Sequence, residues 1–319
     1  MDRDSFEDPN AVLALAERIR QTTTRAWTIM EVCGGQTHAI FRYGINQLLP
    51  DAIRIVHGPG CPVCVTPIEM IDRAIEIASN PDVIFCTFGD MLRVPGTRSD
   101  LMRAKSLGAD IRVIYSPLDA CRIAQSEFER AHSSEVAQDP GSREGNRAMR
   151  QVVLFAIGFE TTAPATALAI RTAKQKGWDH FSTLVSHVLV PPALHAIFSD
   201  PEHGIQGLLA AGHVCTITGY QDYFPIAERY RIPIAVTGFE PVDLLRGILN
   251  VIEQLEATPP SYRVDNLYEH VAMPLGNPQA QQVLSDVFEV SDQNWRGLDR
   301  KSTRLNSSHE WISRMPSSA

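Results

Sequence analysis

One unit recurs along this chain: a short apolar, often β-branched run, a polar turn carrying glycine, then a helical pattern. Its clearest instance is Ile53 to Glu69, I-R-I-V-H-G-P-G-C-P-V-C-V-T-P-I-E. Ile53, Ile55 and Val56 suit a buried strand, which breaks at Gly58-Pro59-Gly60. Thr66, Pro67 and Glu69 then form a helix-start signal: Thr66 at the N-cap, Pro67 at the first helical position and Glu69 at the capping-box position. Ile68, Ile71, Ala74, Ile75 and Ala78 keep helical spacing behind it. Further strands are expected at Trp27 to Val32, Asp82 to Phe88, Ala109 to Tyr115, Gln151 to Ile157, Phe181 to Val190, Val214 to Thr218 and Ile234 to Val236. Helices are expected over Asn10 to Arg25, Ser99 to Leu107, Ala165 to Lys176, from near Ala193, and over Val242 to Leu255. Such alternation implies parallel sheets with right-handed crossovers and helices on both faces, an α/β fold.

Ser133 to Asn146 lacks periodicity and is rich in turn and charged residues, so it reads as a boundary or an exposed insertion. D-V-I-F-C-T-F-G-D-M-L-R-V-P-G before it and Q-V-V-L-F-A-I-G-F-E-T-T-A-P-A after it both run strand, glycine, acid, proline, a possible duplication. With 319 residues, two domains are the natural division. The expected layout is an α/β domain over 27–130, a second over 150–258, and an incomplete third from 1–26 and 259–298.

In open α/β sheets ligands gather at the carboxyl ends of strands, and the chemistry-bearing residues of this chain fall there. Cys61 and Cys64 form a C-x-x-C at a helix start, where thiolates are favoured; a thiolate is both nucleophile and metal ligand. Cys33-Gly34-Gly35-Gln36-Thr37-His38 is a second such turn. Its glycines admit close backbone approach, and Cys33 and His38 offer a soft and a borderline metal ligand; a core cysteine with a capping histidine is the plainer alternative. Asp90 and Arg93 follow Gly89 at a third strand end, and Glu160 and Thr161 follow Gly158 at a fourth. A cleft between two domains could collect these turns. Cys86, inside an apolar run, and Cys121, on a helix face, read as structural.

Several function classes are excluded. A net charge of −8 and a pI near 5.7 argue against nucleic acid as the main partner. No apolar stretch nears the roughly 20 residues that span a bilayer, and the N-terminal M-D-R-D-S-F-E-D-P-N has no signal character. Six cysteines without a signal point to reduced thiols of a cytoplasmic protein rather than a disulfide scaffold. There is no G-x-x-x-x-G-K-[ST] and no G-x-S-x-G, so a nucleotide-dependent ligase ranks last.

With C-G-G-Q-T-H, H-G-P-G-C-P-V-C, C-T-F-G-D-M-L-R-V-P-G and G-F-E-T-T-A-P in this order, the chain resembles the HypD family over about Ala26 to Leu298. These proteins are scaffolds that help assemble the iron–cyanide–carbonyl group, Fe(CN)2CO, of [NiFe] hydrogenases, rather than conventional turnover enzymes. The resemblance implies a stable complex with HypC, which shares the iron, and a transient one with HypE, the cyanide donor. It implies that Cys33 binds iron, that His38 lies in the same site, and that Cys61 and Cys64 are a redox pair. Gly34, Gly35, Asp90, Arg93, Glu160 and Thr161 would line the supporting cleft. The family also carries a [4Fe-4S] cluster on four C-terminal cysteines, and these have no counterpart here. The segment from Asp299 to Ala319 reads like a translated sequencing adapter, and the chain like a truncated member; the tail is set aside as non-native. The competing function is a stand-alone thiol-disulfide oxidoreductase that uses Cys61 and Cys64 alone.

Overall fold

The computed structural model describes residues 7–132, 149–296 and 308–313. In chain order the elements are α1 (Pro9–Thr22), β1 (Trp27–Glu31), α2 (Gly34–Arg42), α3 (Ile45–Leu48), β2 (Ile53–His57), α4 (Pro62–Val65) and α5 (Ile68–Ala78). Then come β3 (Val83–Phe88), a 3-10 turn over Gly89–Arg93, α6 (Leu101–Ser106), β4 (Ile111–Ile114) and α7 (Pro117–His132). They are followed by β5 (Gln151–Gly158), α8 (Ala163–Lys176), β6 (Phe181–Val188), α9 (Val190–Phe198), β7 (Gly207–Ala211) and α10 (Gly212–Thr218). The chain continues through α11 (Tyr223–Tyr230), β8 (Ile234–Thr237), α12 (Pro241–Glu256), β9 (Val264–Asn266), α13 (Pro278–Val287), β10 (Phe288–Gln293) and β11 (Ser308–Ser313).

These elements form an α/β protein with two sheets, each in its own compact unit: residues 1–61 with 189–281, and residues 62–188 with 282–319. In the first unit the strands run β2-β1-β7-β8-β9, all parallel. In the second, β6-β5-β3-β4 are parallel, and β11 and β10 extend that sheet antiparallel beyond β6. The expected layout of 27–130 and 150–258 is therefore corrected, since each of those spans is divided between the units. The reason is strand pairing at long range: Ile29 sits beside Gly207 and Val83 beside Gln151, contacts that periodicity along the chain does not encode.

The expected third domain from 1–26 and 259–298 is corrected too. α1 buries Ala16 and Ile19 against α12. Around it Arg18 pairs with Glu253 at 2.8 Å, and Glu256 accepts from the Thr24 backbone N–H and the Trp27 indole. β9 is the edge strand beside β8. Packing near the centre of the first sheet is unusually close. A Cβ at Gly207 would lie 2.3 Å from Val251, and one at Gly247 2.2 Å from Thr237. Glycine at these two positions lets α12 lie down on β7 and β8.

That closeness also accounts for a misplaced strand. Val214 to Thr218, with its β-branched residues, belongs to α10, while the strand is G-L-L-A-A, fully buried between β1 and β8. Buried on both faces, β7 is chosen by small side chains rather than by β propensity.

In the second unit β5 is buried along almost its whole length, as its position between β3 and β6 requires. The two segments that echo each other, β3 with its turn and β5 with its turn, are neighbours in this one sheet. Ser308 to Ser313, within the segment set aside as a non-native tail, pairs with β10 and β6. The rest of that segment and Ser133 to Asn146 lie outside the described residues.

Candidate functional site

The first unit gathers its polar residues at the carboxyl ends of β1, β2, β7 and β8. β1 ends in Glu31, and two residues later Cys33 caps α2, its sulfur accepting from the Gly35 N–H at 3.3 Å. A thiol here takes the place usually held by a hydroxyl or carboxyl. The cysteine is only 6% exposed. Burial pushes its pKa up, the Gln36 and Gly35 N–H groups pull it down, and the charge of Glu31 raises it again, for a net rise. The free chain thus favours the thiol, and a bound metal would displace its proton.

Glu31 organises this turn from beneath. It is 1% exposed. One oxygen accepts from the Cys33 backbone N–H at 2.8 Å, and the other meets Thr37 Oγ1 at 2.5 Å and His57 Nδ1 at 2.6 Å. Gln36, also buried, donates to Thr237 Oγ1 at 2.8 Å and to the Ala210 carbonyl, which ties the first turn of α2 to β7 and β8. Gly60 closes the site: its carbonyl accepts from Gly34 N–H at 3.2 Å, and a Cβ on it would meet Gly34 N at 2.6 Å and the Cys33 carbonyl carbon at 2.9 Å. Cys61 follows directly in the chain, so the residue before it is packed on the Cys33 backbone.

Cys61 and Cys64 are joined as a disulfide, with Cys61 half-buried and Cys64 exposed. The expected capping box is corrected. Thr66 Oγ1 bonds back to the Pro62 carbonyl at 2.9 Å, closing the one-turn α4, and the N-cap of α5 is Pro67, with no side-chain cap. Proline between the two helices stops them fusing, so Cys64 lies on its own short turn instead of at the start of a long helix.

His38 is exposed on α2 and is not brought to Cys33. The histidine at the sulfur is His213, on α10, with Nε2 3.6 Å from Cys33 Sγ. Its ring stacks on Phe239 at 4.7 Å, and Phe239 in turn lies 3.2 Å from where a Cβ of Gly35 would be. Burial holds the His213 pKa below the usual value. Glu31, His57 and His213 were not singled out from the sequence. The available signal was that each ends a strand or follows one within two residues.

The remaining expected residues lie in the second unit. Asp90 and Arg93 are exposed on the 3-10 turn after β3, Glu160 is buried after β5, and Thr161 is half-buried. Gly158 has no room for a side chain, since a Cβ would overlap Thr162 Oγ1 and lie 2.9 Å from His187 Nδ1. His187 is fully buried, with Nε2 3.0 Å from Thr166 Oγ1 and its pKa lowered to about 4, chiefly by burial. The buried Trp295 packs on Phe159 at 6.1 Å, and the Arg296 N–H donates to the Val65 carbonyl of α4.

Among the described residues no group of three or more His, Cys, Asp or Glu is arranged to hold a metal. A four-cysteine cluster does not fit the residues present. Cys86 and Cys121 are core thiols, pushed up to about 12 and about 11 by burial; Cys215 is buried, and Cys61 is closed on Cys64. Also among the described residues, no helix is long and apolar enough to cross a membrane.

Comparison with known proteins decides the family. The family model described as HypD, "Hydrogenase formation hypA family", matches residues 10–133 and 139–310. The chain belongs to the HypD family. It is 43% identical over 303 residues to the "Hydrogenase maturation factor HypD" of Escherichia coli K12, covering 92% of this chain and 75% of that protein. It is 43% identical over 288 residues to the HypD of Rhodobacter capsulatus, covering 90% and 71%. To the "Hydrogenase expression/formation protein HupD" of Azotobacter chroococcum it is 41% identical over 304 residues, covering 92% and 74%. Hydrogenase maturation is accordingly the role of this HypD-family chain.

Proposed function

We propose that the chain holds iron at Cys33 during assembly of the Fe(CN)2CO group of a [NiFe] hydrogenase. HypC is the partner that completes the coordination, and HypE delivers cyanide. One observation carries this reading: a nearly buried thiol at a helix N-cap, with two backbone N–H groups directed at its sulfur and an imidazole nitrogen 3.6 Å away. A soft thiolate suits iron destined for cyanide and carbonyl. Two donors on this chain leave coordination positions for a partner's ligand and for the incoming diatomics.

Cys61 and Cys64 act as the redox pair. The pair interconverts between the dithiol and the disulfide present here by exchange of two electrons and two protons. In support of this, Gly60 packs on the Cys33 backbone and directly precedes Cys61 in the chain.

The disulfide by itself also suits a stand-alone thiol-disulfide oxidoreductase, and Cys33 separates the two readings. In the scaffold, Cys33→Ala abolishes iron retention in the HypC complex and leaves reduction and reoxidation of Cys61–Cys64 at wild-type rates. Iron retained by Cys33→Ala, or equal loss of both properties, refutes the division of roles.

A further inference from the structure

We propose that His213 is the second protein donor to the metal held at Cys33, with its Nε2 as the ligating atom. This rests on the reading of Cys33 as the iron-holding thiolate and adds a residue to it. With first-row metal–sulfur and metal–nitrogen lengths of about 2.3 and 2.1 Å, a separation of 3.6 Å between Sγ and Nε2 gives a sulfur–metal–nitrogen angle of about 110°. That angle is near tetrahedral, so the spacing of the two atoms suits one bridging ion. On binding M2+, the Cys33 thiol proton leaves to solvent and the metal takes its place between sulfur and nitrogen.

The imidazole is built to hold that direction. His213 lies at the start of α10, directly after β7, and its ring stacks at 24° on Phe239. Phe239 is itself wedged against Gly35, next to the N–H that points at Cys33 Sγ. Stacking thus couples the orientation of the nitrogen donor to the turn that carries the sulfur donor. His38, by contrast, is exposed on α2, five residues beyond Cys33 in sequence.

The test uses the full chain with Cys61–Cys64 oxidised, and cobalt(II) alone as the anaerobic probe. Binding is followed by the near-ultraviolet thiolate-to-cobalt band, and the donor set by imidazole outer-shell scattering in X-ray absorption. Wild type shows both signals, and His38→Ala keeps both. His213→Ala weakens cobalt binding tenfold or more and loses the imidazole scattering while keeping the thiolate band. His213→Gln, which preserves most of the packing on Phe239, loses the same scattering.

Imidazole scattering that persists in both His213 variants, or unchanged affinity, overturns the inference and leaves Cys33 standing. A thiolate band that survives Cys33→Ser overturns the reading of Cys33 itself. A wild-type chain that takes up no cobalt overturns both.

Discussion

Glu31→Gln tests whether the Cys33 turn is held as described, because a single buried side chain binds three partners from two segments, the start of α2 and the end of β2. The substitution keeps volume but exchanges one acceptor for an NH2 group. If the amide oxygen faces Thr37 and His57, the NH2 confronts the Cys33 backbone N–H. That loses one hydrogen bond, worth about 1 kcal/mol, and leaves a buried N–H bare, at about 1–3 kcal/mol. The expected cost to the first unit is about 2–4 kcal/mol. Turning the amide over spares Cys33 but loses the bonds to Thr37 and His57, so neither orientation is neutral. The effect is also local: hydrogen exchange should rise over residues 31–37 before it rises elsewhere in the unit. Removing the charge of Glu31 takes away one of the influences that raise the Cys33 thiol pKa, so the pH profile of Cys33 alkylation moves to lower pH. Wild-type exchange at 31–37 together with an unmoved alkylation profile would refute this account of the turn.

Three further outcomes follow from the same geometry. Gly60→Ala forces a Cβ against backbone atoms of Cys33 and Gly34, and should cost about 1–3 kcal/mol in a denaturation midpoint; Gly89→Ala, whose Cβ would meet only Val113 Cγ1 at 3.5 Å, should stay within about 0.5 kcal/mol. Because His187 titrates near 4 in the fold and near 6.5 when unfolded, the unfolded chain takes the proton first as pH falls. Stability present above about pH 6.5 is therefore lost between there and pH 4, by about 3 kcal/mol, and His187→Gln should flatten that decline in a pH series of unfolding midpoints. After reduction, iodoacetamide followed by peptide mass analysis should find Cys64 and Cys61 modified first, with Cys86, Cys121 and Cys215 modified only on unfolding, because these three are buried and burial also disfavours the thiolates of Cys86 and Cys121.

The α/β class was legible because buried parallel strands leave uninterrupted apolar runs, as in V-V-L-F-A-I-G of β5, and because helices such as α12 keep their periodicity. Cys33, Cys61 and Cys64 stood out because cysteines beside glycines at strand ends have few other uses, and the proposal rests on them. The division into units was not, since it depends on β1 finding β7 and β3 finding β5 across long stretches of chain. β7 was missed because its identity is set by the close approach of α12 at Gly207, a tertiary demand for small residues. His213 was missed for the related reason that its strand was misplaced by one element. His38 drew attention because it is near Cys33 in sequence, but five residues along a helix carry a side chain to another face.

The most direct measurement is infrared spectroscopy, in the cyanide and carbonyl stretching region, of this chain co-purified anaerobically with HypC, its proposed partner. Iron held at Cys33 predicts bands in the wild-type complex. The same bands should be absent from Cys33→Ser, a substitution that keeps an oxygen acceptor at the N-cap and so spares α2. Bands of unchanged position and intensity in Cys33→Ser would contradict the central claim.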